Sequence, residues 1–202
     1  FNSTDFRDEW TELLITGDNV DLRNWTLRDN NSTQIQWNTP IQFKNDPFWN
    51  NLRNGTVILI WHRQFDPSGN THPLDPNKSD GYIEVHADNS NYFTGGDFTG
   101  NTTLNIAGGG DIIQIRDQSD NHVHALAHRN GVGSSFNALP LPKLNLDQSL
   151  NNGEAVFVCP GSNINDYGWN GTGPGYVDKS NSVLSKGLPN QCSASSTANS
   201  DY

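Results

Sequence analysis

Apolar and polar residues alternate over short stretches along the chain, and turn-forming residues separate the stretches. The first such stretch is residues 9–30. Leu13 and Ile15 alternate with Leu14 and Thr16, a period of two that predicts a strand. Gly17-Asp18-Asn19 predicts a tight turn, because Gly tolerates positive φ and Asp and Asn bond to nearby backbone. Val20, Leu22, Trp25 and Leu27 supply the apolar anchors of a second strand. Residues 55–62 form the most apolar run, β-branched and bounded by turn residues, and predict a central strand. Further strands are expected at 82–87, 103–106, 111–117, 122–127 and 154–159, with a short edge piece at 34–37. Gln118-Ser119-Asp120-Asn121 between two of them is the clearest hairpin turn. Residues 1–8 read as a polar lead-in, and 129–152 as mostly loop. No fixed-period repeat interrupts this pattern, and the strand spacing predicts an all-β sandwich.

Composition agrees with short strands joined by polar loops. Asn is the commonest residue, Gly occurs 19 times, and Met is absent. A mean hydropathy of -0.69 is low for a folded chain. Six Trp, nine Phe and five Tyr nevertheless provide core material that disordered chains lack. The net charge of -10 with scattered cations excludes a phosphate-neutralising surface, so nucleic acid is not an expected partner. No apolar run is long enough for a membrane-spanning helix, and membrane insertion is not expected. With no Met at position 1, the chain is expected to be a processed product or a piece of a longer polypeptide.

Cys159 and Cys192 are the two cysteines. In an oxidising compartment they would close a loop of roughly 30 residues, worth about 3 kcal/mol in the chain-entropy model. In a reducing compartment they would be two free thiols. The Asn-rich, Lys-poor composition favours the disulfide and an extracellular location. Asn-x-Ser/Thr triplets at Asn2, Asn24, Asn54, Asn77, Asn101 and Asn170 arise readily in such a chain and mean glycosylation only in a host equipped for it.

With the strands placed, a family pattern emerges. Glu9-Trp10-Thr11-Glu12-Leu13 is followed by Val20-Asp21-Leu22-Arg23-Asn24-Trp25-Thr26-Leu27-Arg28-Asp29, by the strand at 56–61, and by Gly109-Gly110-Asp111-Ile112-Ile113-Gln114-Ile115-Arg116-Asp117. In this order the motifs resemble the lamin-tail domain family, whose members are immunoglobulin-like β-sandwiches. Val158-Cys159-Pro160-Gly161-Ser162 and Gly187-Leu188-Pro189-Asn190 are similar to the version found in large secreted bacterial surface proteins. The resemblance implies a sandwich over residues 1–130, and a loop-rich extension over 131–202 packed on it and pinned by the Cys159–Cys192 disulfide. It also implies a non-catalytic structural or adhesive module at the cell surface, whose partners are other domains of the same chain or neighbouring subunits. The family usually opens with an apolar strand ending in Asn-Glu just before the first motif, and residues 1–8 lack it. A missing edge strand leaves backbone groups that recruit strands from other chains. The edge at residues 9–16 is therefore the expected place for a partner.

Candidate chemistry is sparse. His122 and His124 sit two apart on a predicted strand, with His128 beyond, a spacing that suits zinc if a third ligand joins them. Asp75, Asn77, Ser79 and Asp80 place oxygens at alternate positions, as a calcium loop does, but without its Gly and closing Glu. Calcium is the one cofactor these residues suggest; their plainer reading is an exposed polar turn. Glu9 and Glu12 flank Trp10, a spacing compatible with a glycosidase pair and more simply explained as strand residues beside a core aromatic. Trp37, Trp49, Trp61 and Trp169 are candidate platforms for stacking glycans, with core packing as the alternative. There is no nucleophile elbow, phosphate loop or Cys-x-x-Cys pair, so no enzymatic activity is expected. A carbohydrate- or calcium-binding module is the second reading.

Overall fold

The computed structural model describes residues 2–3, 7–99, 102–129, 133–158, 177–181 and 186–187. The strands are β1 (Asn2–Ser3), β2 (Trp10–Leu14), β3 (Thr26–Arg28), β4 (Ile41–Phe43), β5 (Val57–Trp61), β6 (Tyr82–His86), β7 (Phe93–Gly95), β8 (Asp111–Arg116), β9 (His122–His128), β10 (Lys143–Leu146), β11 (Glu154–Val158) and β12 (Val177–Asn181). A 3-10 turn at Pro47–Trp49 and one helix, α1 (Ser134–Ala138), complete the described elements. The fold is all-β, as the alternation predicts. One sheet runs β2-β5-β6, a second runs β10-β9-β8-β3-β4-β7, and a third runs β1-β11-β12.

The six-stranded sheet and the β2-β5-β6 sheet share one core. Ile58 and Ile60 of β5 and Ile83 and Val85 of β6 pack with Leu27, Ile41, Phe43 and Ile113 from the other sheet. Every residue of β5 is buried, which follows from its central place and its uninterrupted apolar run. β5 and β6 are parallel, so the chain must cross over between them. It does so through residues 62–81, without a helix. Bridges Phe65–Thr71 and Asp75–Glu84 give that loop its structure. The β8–β9 hairpin forms as predicted, and Asp117 Oδ1 accepts the N–H groups of Ser119 and Asn121 in its turn.

Several expectations need correction. Residues 9–30 are not a hairpin: β2 pairs with β5 in one sheet, and β3 pairs with β4 and β8 in the other. Val20 bridges to Leu52 on the way across, so the Gly17-Asp18-Asn19 turn steers the chain between layers. Residues 34–37 are not an edge strand. Asn31 Oδ1 accepts the N–H groups of Ile35 and Gln36 and closes a loop, leaving Ile35 63% exposed. Residues 129–152 hold α1 and β10, and β10 pairs parallel with β9. The lead-in contributes a short strand, β1, which pairs with β11. Cys159, Cys192 and Trp169 lie outside the described residues, as do Asn2's side chain, Asn101 and Asn170.

Candidate functional site

Two features stand out, one inside the fold and one at its edge. The inner one begins with residues 103–106, which read as a strand but join no sheet. Their backbone bonds go to carboxyl groups instead. Asp29, just past β3, accepts Leu104 N–H at 3.2 Å and Asn105 N–H at 2.9 Å. Glu9, just before β2, accepts Ile106 N–H at 2.7 Å. Asp111, the first residue of β8, accepts Ala107 N–H at 2.9 Å. Four consecutive N–H groups are thus held by three carboxyls at the ends of three strands, in place of a neighbouring strand. Asp111 also accepts from Asn30 N–H and Ile112 N–H, and Asp29 from Asn38 Nδ2.

All three carboxyls are buried. Burial pushes Glu9 up to about 9, against the pull of the Ile106 N–H, with Asp111 and Asp29 adding repulsion. Burial raises Asp29 to about 6 and holds Asp111 well above the usual range, where Asp29 adds repulsion. His62 faces Glu9 with Nδ1 at 3.5 Å from Oε2. Burial holds its imidazole well below its ordinary value, helped by Arg63, while the Leu104 carbonyl pulls the other way. The Glu9–His62 contact is therefore one between neutral groups at pH 7. Arg63 lies behind it, donating to the carbonyls of His62 and Thr103 and lying 4.8 Å from the Phe98 ring centroid.

The outer feature is the far edge of β2. Ile15 N–H donates to Thr56 O, and Glu9 O accepts from His62 N–H, so the odd-numbered residues bond to β5. The alternation turns the backbone groups of Glu12 and Leu14 away from β5, and among the described residues nothing pairs with them. A cleft of about 410 Å³ runs along this edge. Leu13, Ile15, Trp25, Ile115, Leu126 and Val156 are among its apolar lining. Glu12 stands at the middle of the edge, with Oε2 accepting Gly187 N–H at 2.8 Å. Burial raises its carboxyl to about 7, opposed by that N–H.

The residues singled out in the sequence fall elsewhere. Glu9 and Glu12 do not converge: the first, just before β2, binds the inner segment, and the second, within β2, binds Gly187. His122 has both ring nitrogens engaged, Nδ1 with Gln114 Nε2 at 2.7 Å and Nε2 with the Pro142 carbonyl at 2.8 Å. His124 lines the cleft. Oδ1 of Asp75 accepts Asn77 N–H, Oδ1 of Asn77 accepts Ser79 N–H, and Oδ1 of Asp80 accepts Tyr82 N–H, a run of local turns. Among the described residues no three His, Cys, Asp or Glu side chains gather to hold a metal ion. Trp49 is no sugar platform: it is 0% exposed, set edge-on against Phe43 and Phe48, with Nε1 donating to Tyr92 O. Trp61 is also buried, stacked on His72 at 3.8 Å. Trp37 is half-buried beneath Arg28, whose guanidinium sits 4.1 Å from the ring centroid.

Asp29, Asp111, His62 and Arg63 went unnoticed as a cluster. The signal available was a carboxylate directly abutting an apolar strand, in Leu27-Arg28-Asp29 and in Asp111-Ile112-Ile113. No family model, curated protein or solved structure matches the chain.

Proposed function

We propose that the chain is a non-catalytic structural module of an extracellular or cell-surface protein, of the lamin-tail type, that joins a neighbouring chain by accepting a strand along β2. The observation carrying this reading is the pair of backbone positions, Glu12 and Leu14, that no described residue pairs with and that open on an apolar cleft. An added strand satisfies the backbone groups and fills the lining with alternate side chains. A small apolar molecule would fill the lining and leave the backbone unpaired. A second copy fits poorly, because antiparallel pairing of β2 with itself about its midpoint sets Glu12 against Glu12, on a chain that already carries -10. The partner is therefore an extended segment of a different chain or domain, apolar at every second position and basic opposite Glu12.

Leu14→Pro tests the proposal. It removes a backbone donor that β5 does not use, and proline is tolerated on edge strands. A library of extended ten-residue peptides, selected on the wild-type chain, should yield alternating apolar sequences with a central Lys or Arg. Their binding should drop at least tenfold on the Leu14→Pro variant. Peptides without alternation, or binding untouched by the proline, would count against strand addition. Concentration-dependent dimers in sedimentation that the proline abolishes would assign the edge to a second copy instead.

A further inference from the structure

The inner cluster carries more carboxyl groups than its surroundings can ionise. Glu9, Asp29 and Asp111 bind neighbouring N–H groups of a single segment in the interior, and Asp29 and Asp111 act as repelling charges on Glu9. Arg63 is the cation acting on Glu9 and Asp29, and it is shared with Asp88. Among the described residues three buried carboxyls face one shared cation, and a folded interior does not sustain three anions there, so at least one carboxyl keeps its proton.

The hydrogen bonds single out which one. Asp29 accepts from Leu104 N–H, Asn105 N–H and Asn38 Nδ2. Asp111 accepts from Asn30 N–H, Ala107 N–H and Ile112 N–H. Such donors favour the anion. Among the described residues, Glu9 accepts a hydrogen bond of this kind from Ile106 N–H alone. An independent feature points the same way. His62 is 0% exposed, its Nδ1 makes no hydrogen bond, and that nitrogen is aimed at Glu9 Oε2 from 3.5 Å. Its other nitrogen, Nε2, lies 2.8 Å from Thr11 Oγ1. With the ring proton on Nε2, donated to Thr11, Nδ1 is a bare acceptor facing the Glu9 carboxyl.

We propose that Glu9 is held as a carboxylic acid whose proton faces His62 Nδ1, and that losing this proton to solvent above neutral pH releases residues 104–107 from the clasp. The lost proton adds a negative charge beside Asp29 and Asp111, with Arg63 already shared. The cluster then admits water, and the segment that ties β2 to β3 and β8 opens. The domain is thereby tight in mild acid and loosened in alkali at this one junction.

Amide hydrogen exchange on the full chain between pH 6 and 9.5, corrected for intrinsic base catalysis, tests the proposal. The amides of residues 104–107 should lose at least tenfold in protection between pH 7 and 9.5, and those of β5 much less. Glu9→Gln keeps an acceptor for Ile106 N–H but cannot ionise, so it should hold its protection across the whole range. Uniform protection of 104–107 in the wild-type chain, or the same loss in Glu9→Gln, overturns the proposal. If Glu9→Gln does not fold, a carbon-detected titration of the wild-type Glu9 carboxyl decides. A midpoint above 7 supports the proton clasp, and a midpoint in the ordinary carboxylate range overturns it.

Discussion

Replacing Asp111 by alanine removes the acceptor for three backbone donors at once, those of Asn30 and Ile112, which are buried, and that of Ala107, which is half-buried. A buried donor without a partner costs about 1–3 kcal/mol, so Asn30 and Ile112 together cost on the order of 2–6 kcal/mol, and the half-buried Ala107 donor adds a smaller amount. Part of this is offset. Burial and the neighbouring Asp29 make the Asp111 carboxyl itself unfavourable in the fold, and the alanine removes that penalty. A net loss of about 4 kcal/mol is expected. That is a large share of the roughly 5–15 kcal/mol that stabilises a typical domain. Asp111→Asn separates the contributions. Its carboxamide oxygen keeps the Asn30 and Ile112 donors, which share Oδ1, while its amide nitrogen replaces Oδ2 and meets Ala107 N–H donor to donor. About 2 kcal/mol should be lost. Urea unfolding followed by tryptophan fluorescence gives both numbers by linear extrapolation. An alanine variant that loses less than about 1 kcal/mol would refute the reasoning, because two unsatisfied buried donors and a half-buried one cannot be that cheap.

Other expectations follow from the same interior. Burial lifts Glu9 to about 9, Glu12 to about 7 and Asp29 to about 6, so the folded chain keeps protons that the unfolded chain releases near its ordinary values of 4.5 and 3.8. Stability from these groups is therefore full below those ordinary values and is lost as pH rises through the folded ones. The melting temperature should fall by roughly 5–10 °C from pH 5.5 to 9, and a profile that is flat or rises over this window would contradict the assignment. Trp49→Ala empties the centre of the Phe43–Phe48–Phe93 aromatic cluster and should cost about 3–5 kcal/mol in the same urea assay. Leu14→Pro should change stability by less than about 1 kcal/mol, so that any loss of strand binding is separable from unfolding; a large drop would mean that the β2 edge is already in use.

The β-strands with uninterrupted or strictly alternating apolar patterns were legible in the sequence. Residues 57–61 announce a central strand because every side chain there is buried, and residues 111–128 announce a hairpin because the turn chemistry at Asp117–Asn121 agrees with the pattern on both sides. Short strands such as β4 and β7 were not legible: three residues carry too little periodicity, and their place depends on pairing with each other across a long loop. The sheet that receives each strand was also hidden, since alternation encodes a buried face but not the layer that covers it. Residues 103–106 mislead for a sharper reason. Their apolar alternation is real, and Leu104 and Ile106 are buried, yet the partners of their backbone are side chains remote in sequence. Among the described residues β2 ends its sheet, and the cleft beside it depends on Trp25, Leu126 and Val156, which only the fold brings together.

The carboxyl clasp also has a place in time. Glu9 waits for Ile106, 97 residues later, and Asn30 for Asp111, 81 residues later. A chain emerging from its N-terminus therefore presents β2 and β3 long before the segment that joins their ends exists. Until then Glu9 and Asp29 remain hydrated anions at the tips of two apolar strands, and the charge discourages those strands from burying themselves prematurely in the wrong neighbour. Closure must await contacts of long sequence separation, whose loop entropy slows folding. The same carboxyls that fasten the finished sandwich thus act, earlier, as solubilising guards on its unfinished parts.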